Sequence, residues 1–145
     1  MRKALATLLR VRNIEKRVAR SAFAEAEQSR QRQEDRVRDV YSAMEQSRQA
    51  EQLGVSMGEA HWLAASHSHR LRLEVDLRRE NGILQERAKV TAKRRAELVE
   101  ADRNARVVEL VLEEYDAREE LEASRREGRL LDEMATVRWW RERDG

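Results

Sequence analysis

The stretch Leu53-Gly54-Val55-Ser56-Met57-Gly58 decides the fold, because it contains the one clear interruption in an otherwise helical pattern. Gly54 can adopt the left-handed conformation that closes the C-terminus of a helix. Ser56 and Glu59 have the spacing of a capping box, in which each side chain satisfies a free main-chain N–H at the start of a new helix. The sequence therefore predicts a turn at about residues 53–57.

Apolar and small residues recur at spacings of three and four on both sides of this turn, which is the period of an α-helix. Before the turn they are Leu5, Leu8, Leu9, Ala19, Ala22, Phe23, Ala26, Val37, Val40, Tyr41 and Met44. After the turn they are Trp62, Leu63, Leu73, Ile83, Val90, Leu98, Ala101, Ala105, Val108, Leu112 and Tyr115. The predicted helices cover about 3–52 and about 58–127, with a C-terminal helical extension to about 142.

The composition supports long helices with a thin core. The 145 residues include 40% charged residues, five glycines and no proline or cysteine. A compact globule would need turn-forming residues that are nearly absent here. We therefore predict a single all-α domain over 1–145, a two-helix antiparallel coiled-coil hairpin with unequal arms. Leu5 is expected near Ala105, and residues after about Glu109 should extend beyond the first helix. Within the second helix, Asn81-Gly82 and Gly128 are expected to lower the local stability of the helix.

The sequence also limits the compartment in which the protein works. The lack of cysteine excludes disulfides and thiolate metal sites, so a reducing cytoplasm is the default. The apolar run Ala4–Leu9 imitates a secretory signal, but Arg10 and Arg12 end it too early. Because no stretch approaches the roughly 18 apolar residues of a membrane span, we predict a cytoplasmic protein that is peripheral to the membrane through its partners only.

Charges are segregated although the formal net charge is only +2. Residues 1–20 carry seven basic residues against Glu15, a net charge of +6. Residues 109–122 carry seven acidic residues against Arg118, a net charge of −6. The two segments are expected to give the molecule electrically distinct ends. Such runs form either a solvated helix surface or an electrostatic docking site for a partner.

The sequence offers no credible catalytic or metal site. The only histidines are His61, His67 and His69. On a helix, His67 and His69 point about 160° apart, whereas metal ligands on one face need a spacing of three or four residues. No glycine-rich phosphate loop occurs, and two narrow helices enclose no pocket that would exclude water. We therefore expect no enzymatic activity and no cofactor.

Two stretches resemble a known family. The first is Leu5-Ala6-Thr7-Leu8-Leu9-Arg10-Val11-Arg12, followed by Glu15 and the small residues Ala22, Ala24 and Ala26. The second and more specific is Leu131-Asp132-Glu133-Met134-Ala135-Thr136-Val137-Arg138. The chain is similar in both to FliJ, the coiled-coil component of the flagellar type III export apparatus. Its length, early turn and long second helix extend the resemblance over essentially the whole chain.

The resemblance implies a non-catalytic central stalk whose open end enters the hexameric export ATPase. Another part would meet the cytoplasmic domain of the export gate, and the protein would also handle export chaperones. The residues that match the ATPase-binding pattern are Leu5, Leu8, Leu9, Arg12, Leu131, Asp132 and Glu133. The gate-binding pattern maps onto His67 and Leu71, after Trp62, although the family has an aromatic residue where His67 stands.

Three other interpretations remain open from the sequence. The first is the equivalent stalk subunit of a virulence type III secretion system, which shares this architecture. The second is a basic nucleic-acid-binding coiled coil, because 26 arginines suit phosphate groups. Interleaved acidic residues and the lack of a stacking motif argue against nucleic acid. The third is a parallel dimer or structural filament, which the break at 54–58 disfavours.

Overall fold

The structure is a computed structural model that describes residues 1–58 and 60–144, apart from the side chains of Ser56 and Met57. Helix α1 spans Arg2–Met57 and helix α2 spans Ala60–Asp144. They contain 56 and 85 residues and pack against each other in antiparallel directions. The predicted all-α fold class, a two-helix hairpin with arms of unequal length, is therefore confirmed.

Local charge pairing supports both helices along their solvated surfaces. Arg30 pairs with Glu27 and with Glu34, one turn away in each direction. Arg48 donates two hydrogen bonds to Glu45, at 2.6 and 3.0 Å. Ion pairs at these spacings each stabilise a helix by about 0.2–0.5 kcal/mol. With no proline to interrupt main-chain hydrogen bonding, the helices continue for many turns.

The chain divides into two compact units. The terminal unit consists of Met1–Lys16 and Ala101–Gly145, and the hairpin unit consists of Arg17–Glu100. In each unit, buried and half-buried residues recur at alternating spacings of four and three, the heptad pattern of a coiled-coil core. We call these residues the seam.

In the hairpin unit, the seam combines a small apolar core with polar residues. Its α1 members are Ala19, Phe23, Ala26, Arg30, Gln33, Val37, Val40, Met44, Ser47, Glu51 and Gly54. Its α2 members are Leu63, Ser66, Arg70, Leu73, Leu77, Glu80, Leu84, Arg87, Thr91, Arg94 and Leu98. Val37 and Leu73 are each 8% exposed, and Gln33 is fully buried. Gln33 donates to the main-chain oxygen of Glu80 at 3.0 Å and to its carboxylate at 2.5 Å.

In the terminal unit, two ion pairs fix the register of the helices. Arg2 binds both carboxylate oxygens of Asp116, at 2.8 and 3.2 Å, and Lys16 lies 2.8 Å from Asp102. The residue numbers of each pair add to 118. The seam here consists of Leu5, Leu9, Arg12 and Lys16 on α1 with Ala101, Ala105, Val108, Leu112 and Tyr115 on α2.

The predicted turn at residues 53–57 is wrong by several residues. Helix α1 continues unbroken through Gly54 and ends at Met57, and the left-handed residue is Gly58, with φ 73°. The N–H of Gly58 donates to the carbonyl of Val55 at 3.2 Å, which closes the last turn of α1. The physical reason is that Gly54 provides space against Trp62 instead of a positive φ. The predicted capping box of Ser56 and Glu59 lies outside the described residues.

The later turn shifts the predicted pairing. Leu5 is level with Leu112, and not with Ala105, because facing residues add to about 117 or 118 and not to 110. Pairing continues to Asp116 instead of ending near Glu109. Helix α2 then runs on without a break to Asp144, so the extension predicted to about 142 belongs to the same helix. Every described residue from 117 onward is exposed.

Candidate partner-binding surfaces

The residues predicted at the start of α1 to bind a partner do not share one environment. Leu5 and Leu9 are half-buried members of the terminal seam, where α2 covers them. Leu8 lies beside the seam and is 39% exposed. Only Leu8 among the three leucines therefore offers a sizeable apolar surface to a second protein.

Arg12 also lies in the seam. Its side chain is 36% exposed, and one guanidinium nitrogen donates to Glu15 at 3.1 Å. Its Nε atom is buried and has no hydrogen-bond partner. Arg12 is therefore a seam residue with a partly exposed side chain. Arg12 is level with Ala105 of the α2 seam, because their residue numbers add to 117.

The second predicted stretch, Leu131-Asp132-Glu133, lies on the part of α2 that extends beyond its partner. All three residues are exposed, with Leu131 at 66%. Successive helical residues point about 100° apart, so the three cannot face one partner surface equally. Leu131 is also about 22 Å along the helix from Asp116, at 1.5 Å per residue. The structure therefore does not bring Leu131 to Leu5, Leu8 or Leu9 within the terminal unit.

The same extension carries a large exposed apolar surface. Its exposed large residues are Leu121, Leu130, Leu131, Met134, Val137, Trp139 and Trp140, each more than half exposed. The rings of Trp139 and Trp140 meet edge to face, with centroids 5.1 Å apart. The guanidinium of Arg143 lies 5.0 Å from the Trp139 centroid and 5.8 Å from that of Trp140. Tryptophan and arginine are among the side chains that contribute most of the binding energy in protein interfaces.

The predicted gate residues lie on α2 close to the turn. Trp62 is half-buried against Gly54, His67 is exposed, and Leu71 is 48% exposed. The Nδ1 atom of His67 is 2.9 Å from a guanidinium nitrogen of Arg70. Arg70 is held in turn by Glu51 across the helices at 3.0 Å. His67 thus contributes a polar edge to a surface whose apolar part is Leu71.

Two exposed residues near Leu71 were not identified from the sequence. Val75, one helical turn after Leu71, is 61% exposed. Tyr41 was assigned to the apolar stripe of α1, but it is 54% exposed, and heptad geometry places it on the same side as Leu71. The sequence could have shown that Tyr41 lies outside the seam, because it directly follows the seam residue Val40 and seam residues are three or four positions apart.

The segregated charges do not form electrically separate ends. Arg2 of the basic segment and Asp116 of the acidic segment are directly paired. The hydrogen bond from Arg2 lowers the pKa of the Asp116 carboxyl. Hydrogen bonds from Arg30 and Arg48 likewise lower the pKa values of Glu27 and Glu45. Residues 2–9 of the basic segment lie beside residues 109–116 of the acidic segment, because the helices are antiparallel and facing residues add to about 118.

The described part of the chain shows surfaces and not an enclosed reaction site. One open hollow is lined only by exposed residues of α2 between Leu130 and Glu142. No group of three or more His, Cys, Asp or Glu side chains within 1–58 and 60–144 is placed to hold a metal ion. Among the same residues, neither helix has a segment apolar enough to cross a membrane.

Comparison with known proteins agrees with the resemblance inferred from the two short stretches. A family model described as "Flagellar FliJ protein" matches residues 1–144. No curated protein and no solved structure matches the chain. Of the two export systems considered above, the match is to the flagellar one. The chain belongs to the FliJ family, whose non-catalytic members are components of the flagellar export apparatus and form the stalk that links its ATPase to the gate.

Proposed function

We propose that the terminal unit binds the hexameric export ATPase and that the α2 surface around Leu71 binds the cytoplasmic domain of the export gate. The observation that carries the first part is the exposed apolar extension of α2, in which Leu131 is 66% exposed. An apolar surface of this extent on a helix without a partner favours a role in binding another protein. Through these partners the chain associates with the membrane peripherally.

At the ATPase site, the predicted residues take different roles. Leu8 and Leu131, with Asp132 and Glu133, contact the ATPase directly because they are exposed. The seam residues Leu5, Leu9 and Arg12 hold α1 against α2, so that Leu8 keeps its position. This division follows from their burial, since a half-buried seam residue has little surface left for a second protein.

At the gate site, Leu71 provides the main apolar contact and His67 lies at its edge. Trp62 positions this part of α2 by packing on Gly54. Tyr41 and Val75 enlarge the same surface, since both are more than half exposed. An aromatic and aliphatic patch next to a hydrogen-bonded Arg70 has the composition of an interface centre. Export chaperones are a further proposed class of partner, suggested by the family alone.

The ATPase site is tested with two leucines of equal exposure. Leu131 and Leu53 are each 66% exposed. We expect Leu131→Asp to weaken binding to the purified export ATPase by about tenfold, or ~1.4 kcal/mol, because a buried contact becomes charged. Leu53→Asp should leave the affinity unchanged, with helix content of both variants checked by circular dichroism. Equal affinities for the two variants would show that the extension does not bind the ATPase.

The gate site is tested in the same way with the purified cytoplasmic domain of the gate. We expect Leu71→Asp to reduce binding, whereas Leu121→Asp, with similar exposure on the same helix, should not. The two assays together distinguish the sites. Loss of gate binding in the Leu121 variant, with Leu71→Asp unaffected, would move the gate site to the terminal unit.

A further inference from the structure

The middle of the hairpin unit contains a polar part of the seam. We call the following residues the polar segment: Ala26, Arg30 and Gln33 of α1 with Leu84, Arg87 and Thr91 of α2. The hydroxyl of Thr91 lies 3.2 Å from the main-chain oxygen of Ala26, so these two residues face each other. One seam position nearer the turn on each helix, Arg30 faces Arg87. Two guanidinium groups of like charge therefore occupy one level of the seam, where a coiled coil ordinarily has apolar side chains.

The polar contacts of these two arginines do not hold the helices together strongly. Arg87 donates across the helices to the hydroxyl of Ser29 at 2.6 Å and to its main-chain oxygen at 3.4 Å. Water can replace both acceptors when the helices separate. Arg30 binds Glu27 and Glu34 on its own helix, so separation leaves its ion pairs intact.

Gln33 weakens the closed arrangement further. It is fully buried and faces Leu84, one seam position nearer the turn than the two arginines. Its Nε2 atom binds the main-chain oxygen of Glu80, but its Oε1 atom is buried without a hydrogen-bond partner. A buried acceptor without a partner is destabilising, and separation of the helices would expose it to water.

The neighbouring part of the seam, towards the turn, is apolar. We call it the apolar cluster, and it consists of Val37, Val40 and Met44 of α1 with Leu73 and Leu77 of α2. Val37 and Leu73 are each only 8% exposed. Water does not replace the apolar contacts that separation would remove here. The apolar cluster therefore holds the helices together more strongly than the polar segment does.

We propose that the polar segment is a hinge, at which α1 and α2 separate locally while the apolar cluster keeps them together nearer the turn. Both helices run through the segment without a break, so the hinge depends on weak contacts between the helices. Regions with few buried apolar contacts are the first to open in a folded protein. Leu71 lies two residues before Leu73 of the apolar cluster. If Leu71 binds the gate as proposed, the hinge lets that surface move relative to residues 17–25 of the same unit.

The hinge is tested by distances between spin labels, because the chain contains no cysteine of its own. Gln28→Cys with Lys89→Cys places two labels at the polar segment, and Ser42→Cys with Val75→Cys places two at the apolar cluster. The residue numbers of each pair add to 117, and all four residues are exposed at the outermost heptad position. In the full chain in frozen solution, the first pair should give a distance distribution roughly twice as wide as the second, with a tail to longer distances.

A second arm of the experiment removes the two facing arginines. Arg30→Leu with Arg87→Leu should narrow the first distribution to the width of the second, because an apolar level closes the seam. Arg32→Leu with Arg78→Leu removes two exposed arginines outside the seam and should leave the first distribution broad. Circular dichroism verifies that each variant keeps its helices.

Three outcomes would overturn the hinge. They are equal widths for the two label pairs in the otherwise unchanged chain, a first distribution that stays broad after Arg30→Leu with Arg87→Leu, and equal narrowing by Arg32→Leu with Arg78→Leu. The measurement uses the chain without a partner. Its outcome is therefore independent of whether the chain binds the ATPase or the gate.

Discussion

The indole ring of Trp62 lies against the main chain at Gly54 so closely that a Cβ atom on Gly54 would be 2.0 Å from Cε3 of the ring. Gly54 is buried within α1, four residues before the left-handed Gly58. Glycine is therefore needed at position 54 for close approach between the helices, and at position 58 for main-chain conformation. The two requirements give different mutational outcomes.

The first prediction concerns the glycines within helices. Gly54→Ala should destabilise the protein by about 1–3 kcal/mol, because the ring of Trp62 must move out of a packed position. Gly82→Ala should stabilise it by about 1 kcal/mol, because its Cβ meets no atom within 4 Å and alanine favours a helix. Urea unfolding measures both changes. A Gly54→Ala variant as stable as Gly82→Ala would contradict the packing role of Gly54.

The second prediction concerns the buried polar contact between Gln33 and Glu80. The Nε2 atom of Gln33 binds Glu80, but its Oε1 atom is buried without a partner. Gln33→Leu should cost about 1–3 kcal/mol, because the Glu80 carboxylate loses its donor. Adding Glu80→Leu should recover that loss or more, since an apolar pair replaces a polar pair that leaves one buried acceptor without a partner. A double-mutant cycle measures the coupling, and additive effects would show that the contact contributes nothing.

The third prediction concerns pH. The pKa of Asp116 is lowered in the folded protein, mainly by the hydrogen bond from Arg2. The stabilisation from this pair is therefore present above the unfolded pKa of about 3.9 and is lost as pH falls below it, through the lowered folded pKa. An NMR titration of the Asp116 carboxyl should show this low value. Arg2→Gln should return the pKa to its ordinary range, and an unchanged titration in that variant would show that another group is responsible.

The fourth prediction separates two neighbouring basic residues. Arg10 is exposed, whereas Arg12 is a half-buried seam residue. Arg10→Glu should change stability by less than about 0.5 kcal/mol, whereas Arg12→Glu should destabilise the terminal unit by about 1–3 kcal/mol. If the basic segment guides docking, Arg10→Glu should also slow association with the ATPase and flatten its salt dependence. Unfolding curves and association rates at two salt concentrations check both expectations, and equal stability of the variants would contradict the seam position of Arg12.

The sequence by itself determined the two helices, their antiparallel packing, the unequal arms and the family. These properties depend on local patterns, namely helical periodicity, the absence of proline, one break in the pattern and two short motifs. The resemblance to the family identified Leu71 and Leu131 as candidate contacts, and both are exposed. The sequence did not separate the seam residue Leu9 from the flanking Leu8, since adjacent apolar residues suit either position.

Only the tertiary structure decided where the chain turns, and with it the register of the helices. Glycine is compatible both with a positive φ and with close packing, so its presence at positions 54 and 58 does not show which role each one has. The ring of Trp62, which approaches Gly54 from the other helix, settles that choice. The resulting register brings Arg2 to Asp116 and Lys16 to Asp102. Such long-range pairings depend on contacts between residues far apart in the chain, which local sequence patterns do not specify.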